Sequence, residues 1–202
     1  MLKFTGTAIL KSPLLIKVGN DVTYPMGRHL RGAIGYIALE SNLDIAKLFP
    51  DFDTQEIIVR DMIPLDNKFV VEDIISQSYK GKAVMDGGKY RFEVLVDDKY
   101  KNDMEVVIKK MRNFNIGSMK SHGLGKFELG SVSIGEVSPM TGEYTLKNDA
   151  VIDNGNKRIE ISKKIGEDFK KISLSVGNKD KKVKVSQAFG YGKYISLGFG
   201  EI

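Results

Sequence analysis

The stretch NDMEVVIKKMRNFNIGSMKSHGLGKFELGSVSIGEV, residues 102–137, holds the elements that decide the fold. Its first part repeats apolar residues at helical spacing, with Asn102 or Asp103 as the candidate N-cap; these apolar residues are Met104, Val107, Ile108 and Met111. A glycine-rich loop follows. Residues 126–137 then place Phe127 and Leu129 on one face, which is the period of a strand. The pattern predicts a helix, a glycine-rich loop and a strand in that order.

The residues before this stretch predict four further elements. LKFTGTAIL (2–10) alternates like a half-buried strand, and RHLRGAIGYIALES predicts a helix from about Arg28 to Ser41. EIIVRDMIPL (56–65) and KYRFEVLV (89–96) predict two more strands, while residues 69–88 between them fit a strand, a short helix or a hairpin. The order β, α, β, β, α, β predicts an α+β, ferredoxin-like fold, in which an antiparallel four-stranded sheet carries both helices on one side.

The chain changes character after residue 138. KRIEISKK, KKISLSVG and KVKVSQ are short lysine-rich segments of β character, and no convincing helix lies among them. The sequence therefore predicts a ferredoxin-like domain over residues 1–138. Residues 139–202 are predicted to form a small β-rich extension or a degenerate second ferredoxin-like unit.

Composition limits the chemistry. The chain has no cysteine and two histidines, which excludes disulfides, thiolate zinc sites and a cysteine nucleophile, and we expect no metal and no cofactor. The carboxylates lack metal-site spacing, and Asp61 and Asp66 are predicted to be solvated turn residues. A net charge of +5 favours a polyanionic partner. No apolar run approaches the roughly 18 residues that span a bilayer, so we expect a cytoplasmic protein without a membrane partner.

The glycine-rich loop at 117–130 is the first candidate site. Its glycines let a phosphodiester chain approach backbone N–H groups, and its lysines add positive charge. GLGKF (123–127) recurs as GYGKY (190–194) and GFGEI (198–202), which suggests the same local structure in both halves. The alternative is that Gly117 caps the preceding helix and that residues 123–125 form a bulge. The predicted RNA-binding residues here are Gly117, Lys120, Ser121, His122, Gly123, Gly125, Lys126 and Lys193.

The second candidate site lies at the start of the first predicted helix. His29 shares a helix face with Gly32 and Tyr36, and Arg28 and Arg31 flank it. A histidine there can act as general acid or base in RNA cleavage, with the arginines binding RNA and stabilising phosphate charge. The alternative is a histidine that caps or packs near the helix N-terminus.

Three segments together resemble a known family. YPMGRHLRGAIGYIAL (24–39) is similar to the first-helix signature of the RAMP superfamily of CRISPR-associated proteins, and IGSMKSHGLGKFELGSV (116–132) is similar to its glycine-rich loop. The ending FGYGKYISLGFGEI (189–202) most resembles that of the CRISPR repeat-processing endoribonucleases.

This resemblance implies a function. It implies metal-independent cleavage of precursor CRISPR RNA within repeats, leaving a 2′,3′-cyclic phosphate, with His29 as general acid or base and with Tyr36, Tyr24 and Lys17 as further catalytic candidates. It also leaves open a non-catalytic backbone subunit of a CRISPR effector complex that binds guide RNA. The implied partners are RNA and other effector subunits, and the chain is expected to be a monomer or a homodimer. A basic scaffold without an RNA function is a third alternative.

Overall fold

A computed structural model describes residues 1–15, 25–49, 54–66, 71–76, 79–85, 87–117, 120–165 and 168–202. The first two thirds of the described chain contain three α-helices and eight strands. In chain order they are β1 Leu2–Leu10, α1 Gly27–Glu40, α2 Ile45–Leu48, β2 Ile57–Val59, β3 Ile63–Pro64, β4 Val71–Ser76, β5 Tyr79–Val84, β6 Lys89–Val96, α3 Lys101–Lys110, β7 Asn113–Asn115 and β8 Lys126–Glu136.

The main sheet confirms the predicted ferredoxin-like fold. Its strands lie in the order β2, β6, β1, β8, β7, and every pair is antiparallel. β3 pairs with the first half of β6, on the same edge as β2, which pairs with the end of β6. The alternation in β1 and β6 buries one face, on which α1 and α3 pack to form a single core. This core contains Phe4, Tyr90 and Phe92 from the sheet and Leu30, Ile34, Met104 and Val107 from the helices.

Several local predictions need correction. Neither Asn102 nor Asp103 caps α3, because a 3₁₀ turn (Asp98–Tyr100) leads directly into the helix and makes Tyr100 its N-cap. Gly117 does not cap α3 either, since that helix ends at Lys110 and β7 lies between them. The single strand predicted over 56–65 is broken after Val59, and the ambiguous segment 69–88 contains the hairpin of β4 and β5.

The described residues after 138 form five strands and one 3₁₀ turn. They are β9 Met140–Thr145, β10 Ala150–Val151, β11 Lys157–Ile165, β12 Asp168–Gly177 and β13 Lys182–Ala188, followed by a 3₁₀ turn at Ile195–Leu197. β9 pairs with β13, and β12 lies between β10 and β11. Within the described ranges none of these strands joins the main sheet, and the domain boundary at 138/139 stays a prediction.

None of the described helices is both long and apolar enough to cross a lipid bilayer.

Candidate nucleic-acid interface

Residues 116–125, here called the first glycine loop, connect β7 to β8. The loop closes on itself where the Ile116 N–H donates to the Gly125 carbonyl over 2.9 Å, and the Gly125 N–H donates to Pro13 over 2.8 Å. A 3₁₀ turn, Lys120–His122, lies inside the loop and ends where Gly123 N–H donates to the Lys120 carbonyl. All three side chains of this turn are exposed.

Residues 191–200, here called the second glycine loop, repeat this geometry at a constant offset of 75 residues. The Tyr191 N–H donates to the Gly200 carbonyl over 2.9 Å, and the Gly200 N–H donates to Asp149 over 3.1 Å. The second 3₁₀ turn, Ile195–Leu197, corresponds to Lys120–His122, and Gly198 N–H closes it on Ile195. Over the described residues, the two loops therefore share one backbone arrangement.

Glycine is required at the same point of both loops. Gly125 and Gly200 have φ values of +66° and +64°, in the left-handed region that favours glycine. A Cβ atom at either position would lie 1.8 Å from a carbonyl oxygen, that of Ile116 or of Tyr191. The shared glycines thus allow the loop to close against its own backbone.

The equivalence extends to the segments that follow β1 and β9. The Lys126 N–H donates to Ser12 Oγ over 2.9 Å, and the Glu201 N–H donates to Asn148 Oδ1 over the same distance. The preceding residue in each case, Lys11 or Lys147, donates its N–H to the carbonyl of Lys126 or Glu201 over 2.8 Å. This match supports the interpretation of residues 139–202 as a degenerate second ferredoxin-like unit, with β9 in the place of β1.

The structure corrects how the repeated glycine motifs correspond. GFGEI (198–202) is the equivalent of GLGKF (123–127), whereas GYGKY (190–194) lies where the loop begins. Lys193 is therefore not the counterpart of Lys126. Its Nζ forms an ion pair with Asp153 over 2.7 Å, and its N–H donates to Val151.

The two loops differ in their surroundings. In the second loop, Ile195 is 5% exposed and packs with Ile58 and Leu95, and Leu197 is also buried. Gly198 lies against the first residue of α1, so that a Cβ on Gly27 would be 2.9 Å from the Gly198 Cα. The turn of the second loop, Ile195–Leu197, is therefore part of the protein interior, and the corresponding turn of the first loop, Lys120–His122, lies at the surface.

Asp61 joins the second glycine loop to α1. Its carboxylate accepts hydrogen bonds from the Gly27 N–H over 2.7 Å and from Asn148 Nδ2 over 3.0 Å, and Asn148 also donates to the Gly198 carbonyl. Burial raises the pKa of Asp61 to about 6. The prediction of a solvated turn residue is wrong, and no pattern in the sequence indicated this role.

His29 lies in the first turn of α1, where the alternative to a catalytic role predicted a histidine that caps or packs near the helix N-terminus. Its Nδ1 accepts a hydrogen bond from the Met26 N–H over 3.1 Å, which satisfies a helix N-terminal donor. Burial, with a smaller contribution from Arg28, lowers the pKa of His29 to about 4. His29 is therefore neutral at physiological pH, with Nδ1 as acceptor and the proton on Nε2.

The two arginines flanking His29 have different positions. Arg31 is buried, and its guanidinium lies over the Phe49 ring, 4.2 Å from the ring centroid. Arg28 is partly buried and close to Asp61; burial lowers the pKa of Arg28, and the charge of Asp61 opposes that shift. Of the two, Arg28 is the one near the surface.

Tyr36 faces the first glycine loop across a cavity of about 360 Å³. The helix wall of the cavity includes Tyr36 and Glu40, and the loop wall includes Lys120 and Ser121. The structure thus brings together three predicted site residues from α1 and the loop. Within the loop, Ser121 Oγ is 3.2 Å from His122 Nδ1.

The remaining predicted residues lie elsewhere. Lys126 is exposed at the start of β8, and Gly117 and Gly123 have positive φ values in the first loop. Tyr24 and Lys17 lie outside the described residues. Among those that are described, no three histidine, aspartate or glutamate side chains cluster as they would around a metal ion.

The sequence matches no protein-family model and no curated protein. Solved structures do match. A crystal structure of a CRISPR protein from Archaeoglobus fulgidus has a TM-score of 0.53 and 8% identity, over 93% of this chain and 88% of that chain. A RAMP protein binding different RNA substrates has a TM-score of 0.51 and 13% identity, over 100% and 98%.

A further match is to a type III-B Cmr-β complex bound to cognate target RNA. Its TM-score is 0.49 with 11% identity, and the alignment covers 66% of this chain and 60% of that chain. The two matches with TM-scores above 0.5 extend over nearly the full length of this chain. The chain therefore has the fold of the RAMP proteins of CRISPR systems.

Proposed function

We propose that this protein is a CRISPR-associated protein that binds single-stranded RNA along α1 and the first glycine loop. The observation that carries the proposal is the exposed Lys120–His122 turn, whose structural equivalent, Ile195–Leu197, is buried. A turn with lysine, serine and histidine side chains supplies charge and hydrogen-bond donors for phosphate oxygens.

The exposed face of α1 continues this surface. Gly32 is exposed, and a Cβ there would have open space around it, so the helix backbone is accessible beside His29. Tyr36 follows one turn later and is 62% exposed. An exposed aromatic next to a lysine is the combination that single-stranded RNA uses for stacking and backbone contact.

The comparison with known structures supports the same proposal. A full-length structural match is described as a RAMP protein binding different RNA substrates. The sequence resemblance of residues 24–39 and 116–132 covers the same two elements that form the surface. We therefore assign RNA binding to α1 and the first glycine loop, and we leave Lys193 out because it pairs with Asp153.

Fluorescence anisotropy with a labelled single-stranded CRISPR repeat RNA tests this function. We expect binding that weakens as salt increases, and competition by unlabelled single-stranded RNA but not by duplex DNA of the same sequence. No binding at low salt, or equal competition by duplex DNA, would contradict the proposal.

The second candidate function is cleavage of the bound repeat RNA. The observation that favours it is the neutral His29 next to Arg28 on this surface, with a proton on Nε2. In such a cleavage the 2′-OH attacks the adjacent phosphorus, the 5′-oxygen leaves, and a 2′,3′-cyclic phosphate forms. The neutral His29 imidazole would donate a hydrogen bond from Nε2–H to the leaving 5′-oxygen, which takes its proton from water, and Arg28 would stabilise the phosphate charge.

The geometry limits the roles of the other candidates. Tyr36 lies seven residues after His29, about 10 Å further along the helix axis. We assign it to holding RNA beside the reacting phosphate. The resemblance leaves Tyr24 or Lys17 to accept the 2′-OH proton, because His29 Nδ1 is already occupied by the Met26 N–H.

A His29→Gln variant separates catalysis from structure. Glutamine at the third helical position can still bond the N-cap N–H, so the helix start is preserved while the ring is lost. Labelled repeat RNA is incubated in EDTA with wild type or with His29→Gln. We expect wild type to cut the RNA at one specific position and His29→Gln to leave it intact. Tight binding with intact RNA in both would assign the protein to the non-catalytic subunits instead.

A further inference from the structure

The cavity beside Tyr36 has the size and lining of a site for a single nucleotide. We propose that it takes one nucleotide of the bound strand, with the base stacked on Tyr36 and its phosphate at Lys120. The inference rests on the proposed RNA-binding function and adds a position at which the protein contacts a base.

The size of the cavity fits such a ligand. Its volume of about 360 Å³ falls within the range of about 300–1,000 Å³ typical of small-molecule sites. The cavity lies between α1 and β7 and opens next to the exposed turn of the first glycine loop. A base of an RNA strand that runs along this turn can therefore enter the cavity.

The helix wall offers an aromatic surface. Tyr36 is the most exposed large hydrophobic side chain in the described chain. A hydrogen bond to Glu40, one turn later, raises the pKa of Tyr36, and both side chains line the cavity. A ring with an accessible face stacks with any of the four bases.

The base of the cavity is rigid. Phe114 is buried and stacks on Phe127, with ring centroids 5.3 Å apart and planes 13° from parallel. Beside it, Asn115 Nδ2 donates to the Leu124 carbonyl over 3.2 Å, which fixes the amide and leaves its oxygen as an acceptor. The cavity is thus formed in advance of binding.

The charges of the two walls orient the ligand. Lys120 on the loop wall attracts a phosphate, and Glu40 on the helix wall repels it. The phosphate therefore belongs at the loop and the base at the helix, next to Tyr36. Glu40 can also accept a hydrogen bond from an amino group of the base.

Abasic scanning of a bound RNA tests this inference. The probe is a 12-nucleotide single-stranded RNA from the repeat, with an abasic nucleotide at each position in turn, measured against wild type, Tyr36→Ala and Tyr36→Phe. We expect one position where losing the base weakens binding to wild type and to Tyr36→Phe by about 5- to 150-fold. Tyr36→Ala should bind the intact RNA correspondingly more weakly and show no loss at that position.

Leu39→Ala is the matched control, because Leu39 is 60% exposed on the same helix and does not line the cavity. It should leave the abasic profile unchanged. A profile that is identical in wild type and Tyr36→Ala, while both bind RNA tightly, would overturn the nucleotide site and leave RNA binding intact. Failure of wild type to bind any of the RNAs would instead overturn the proposed function, and the site with it.

Discussion

The first and second glycine loops share a backbone and differ in what surrounds it. In both, equivalent glycines allow the loop to close, and equivalent hydrogen bonds attach it to the segment that follows β1 or β9. The turn inside the first loop, Lys120–His122, is exposed. The turn inside the second, Ile195–Leu197, is buried, with Ile195 packed against β2 and β6. The same backbone thus forms a surface in one place and an internal contact in the other, and the side chains of the turn decide which.

The largest expected effects come from breaking the shared backbone. Gly125→Ala and Gly200→Ala should each reduce the free energy of unfolding by about 4 kcal/mol or prevent folding, because each adds backbone strain and a clash with a carbonyl oxygen. Gly123→Ala is the matched control: its φ is +78° but no atom lies within 4 Å of the added Cβ, so we expect about 1–2 kcal/mol. Urea denaturation measures all three, and a small effect at only one of Gly125 and Gly200 would contradict the equivalence of the loops.

Equivalent positions in the two turns should respond differently. Ile195→Ala should destabilise the protein by about 2–4 kcal/mol because it empties a buried site. Lys120→Ala, at the corresponding position of the exposed turn, should change the free energy of unfolding by less than about 0.5 kcal/mol. Equal changes in the two denaturation midpoints would mean that the second loop is not held in the interior.

The contact between α1 and the second loop also gives a pH dependence with two opposing parts. The pKa of Asp61 rises on folding from 3.8 to about 6, so the native state holds the extra proton and stability falls as pH rises between about 4 and 6. The pKa of His29 falls from 6.5 to about 4, so the unfolded state holds the extra proton and stability rises over about pH 4 to 6.5. Each part amounts to about 3 kcal/mol, and they largely cancel.

Single variants should separate these two parts. Relative to wild type, Asp61→Asn should become more stable as the pH is raised from about 4.5 to 6.5, and His29→Gln should become less stable. Urea denaturation at a series of pH values measures both differences. Two variants whose stability relative to wild type does not change with pH would show that neither group has a shifted pKa.

The sequence predicted the main sheet and the two helices packed on it well, because the signals for these elements are local. The two-residue period in β1 and β6 and the helical period in α1 and α3 each lie within one element, and the order of the elements then restricts the sheet topology. Element ends were less predictable, as the start of α3 depends on a preceding 3₁₀ turn.

The site was only partly predictable, because some of its features depend on distant residues. The role of Asp61 requires Gly27, 34 residues away, and Asn148, 87 residues away. The pairing of GLGKF with GFGEI follows from backbone hydrogen bonds that the glycine motifs alone do not distinguish. The cavity at Tyr36 similarly depends on β7, a strand of three residues that the sequence did not predict.

The salt dependence of RNA binding tests the central claim, that the first loop contacts RNA and the second does not. We expect Lys120→Ala with Lys126→Ala to reduce the slope of log affinity against log salt by about 1.4, since each phosphate contact to a single strand contributes about 0.7. Lys193→Ala, which removes a lysine from the second loop, should leave the slope unchanged. An unchanged slope in the double variant, or an equal reduction in Lys193→Ala, would contradict the account.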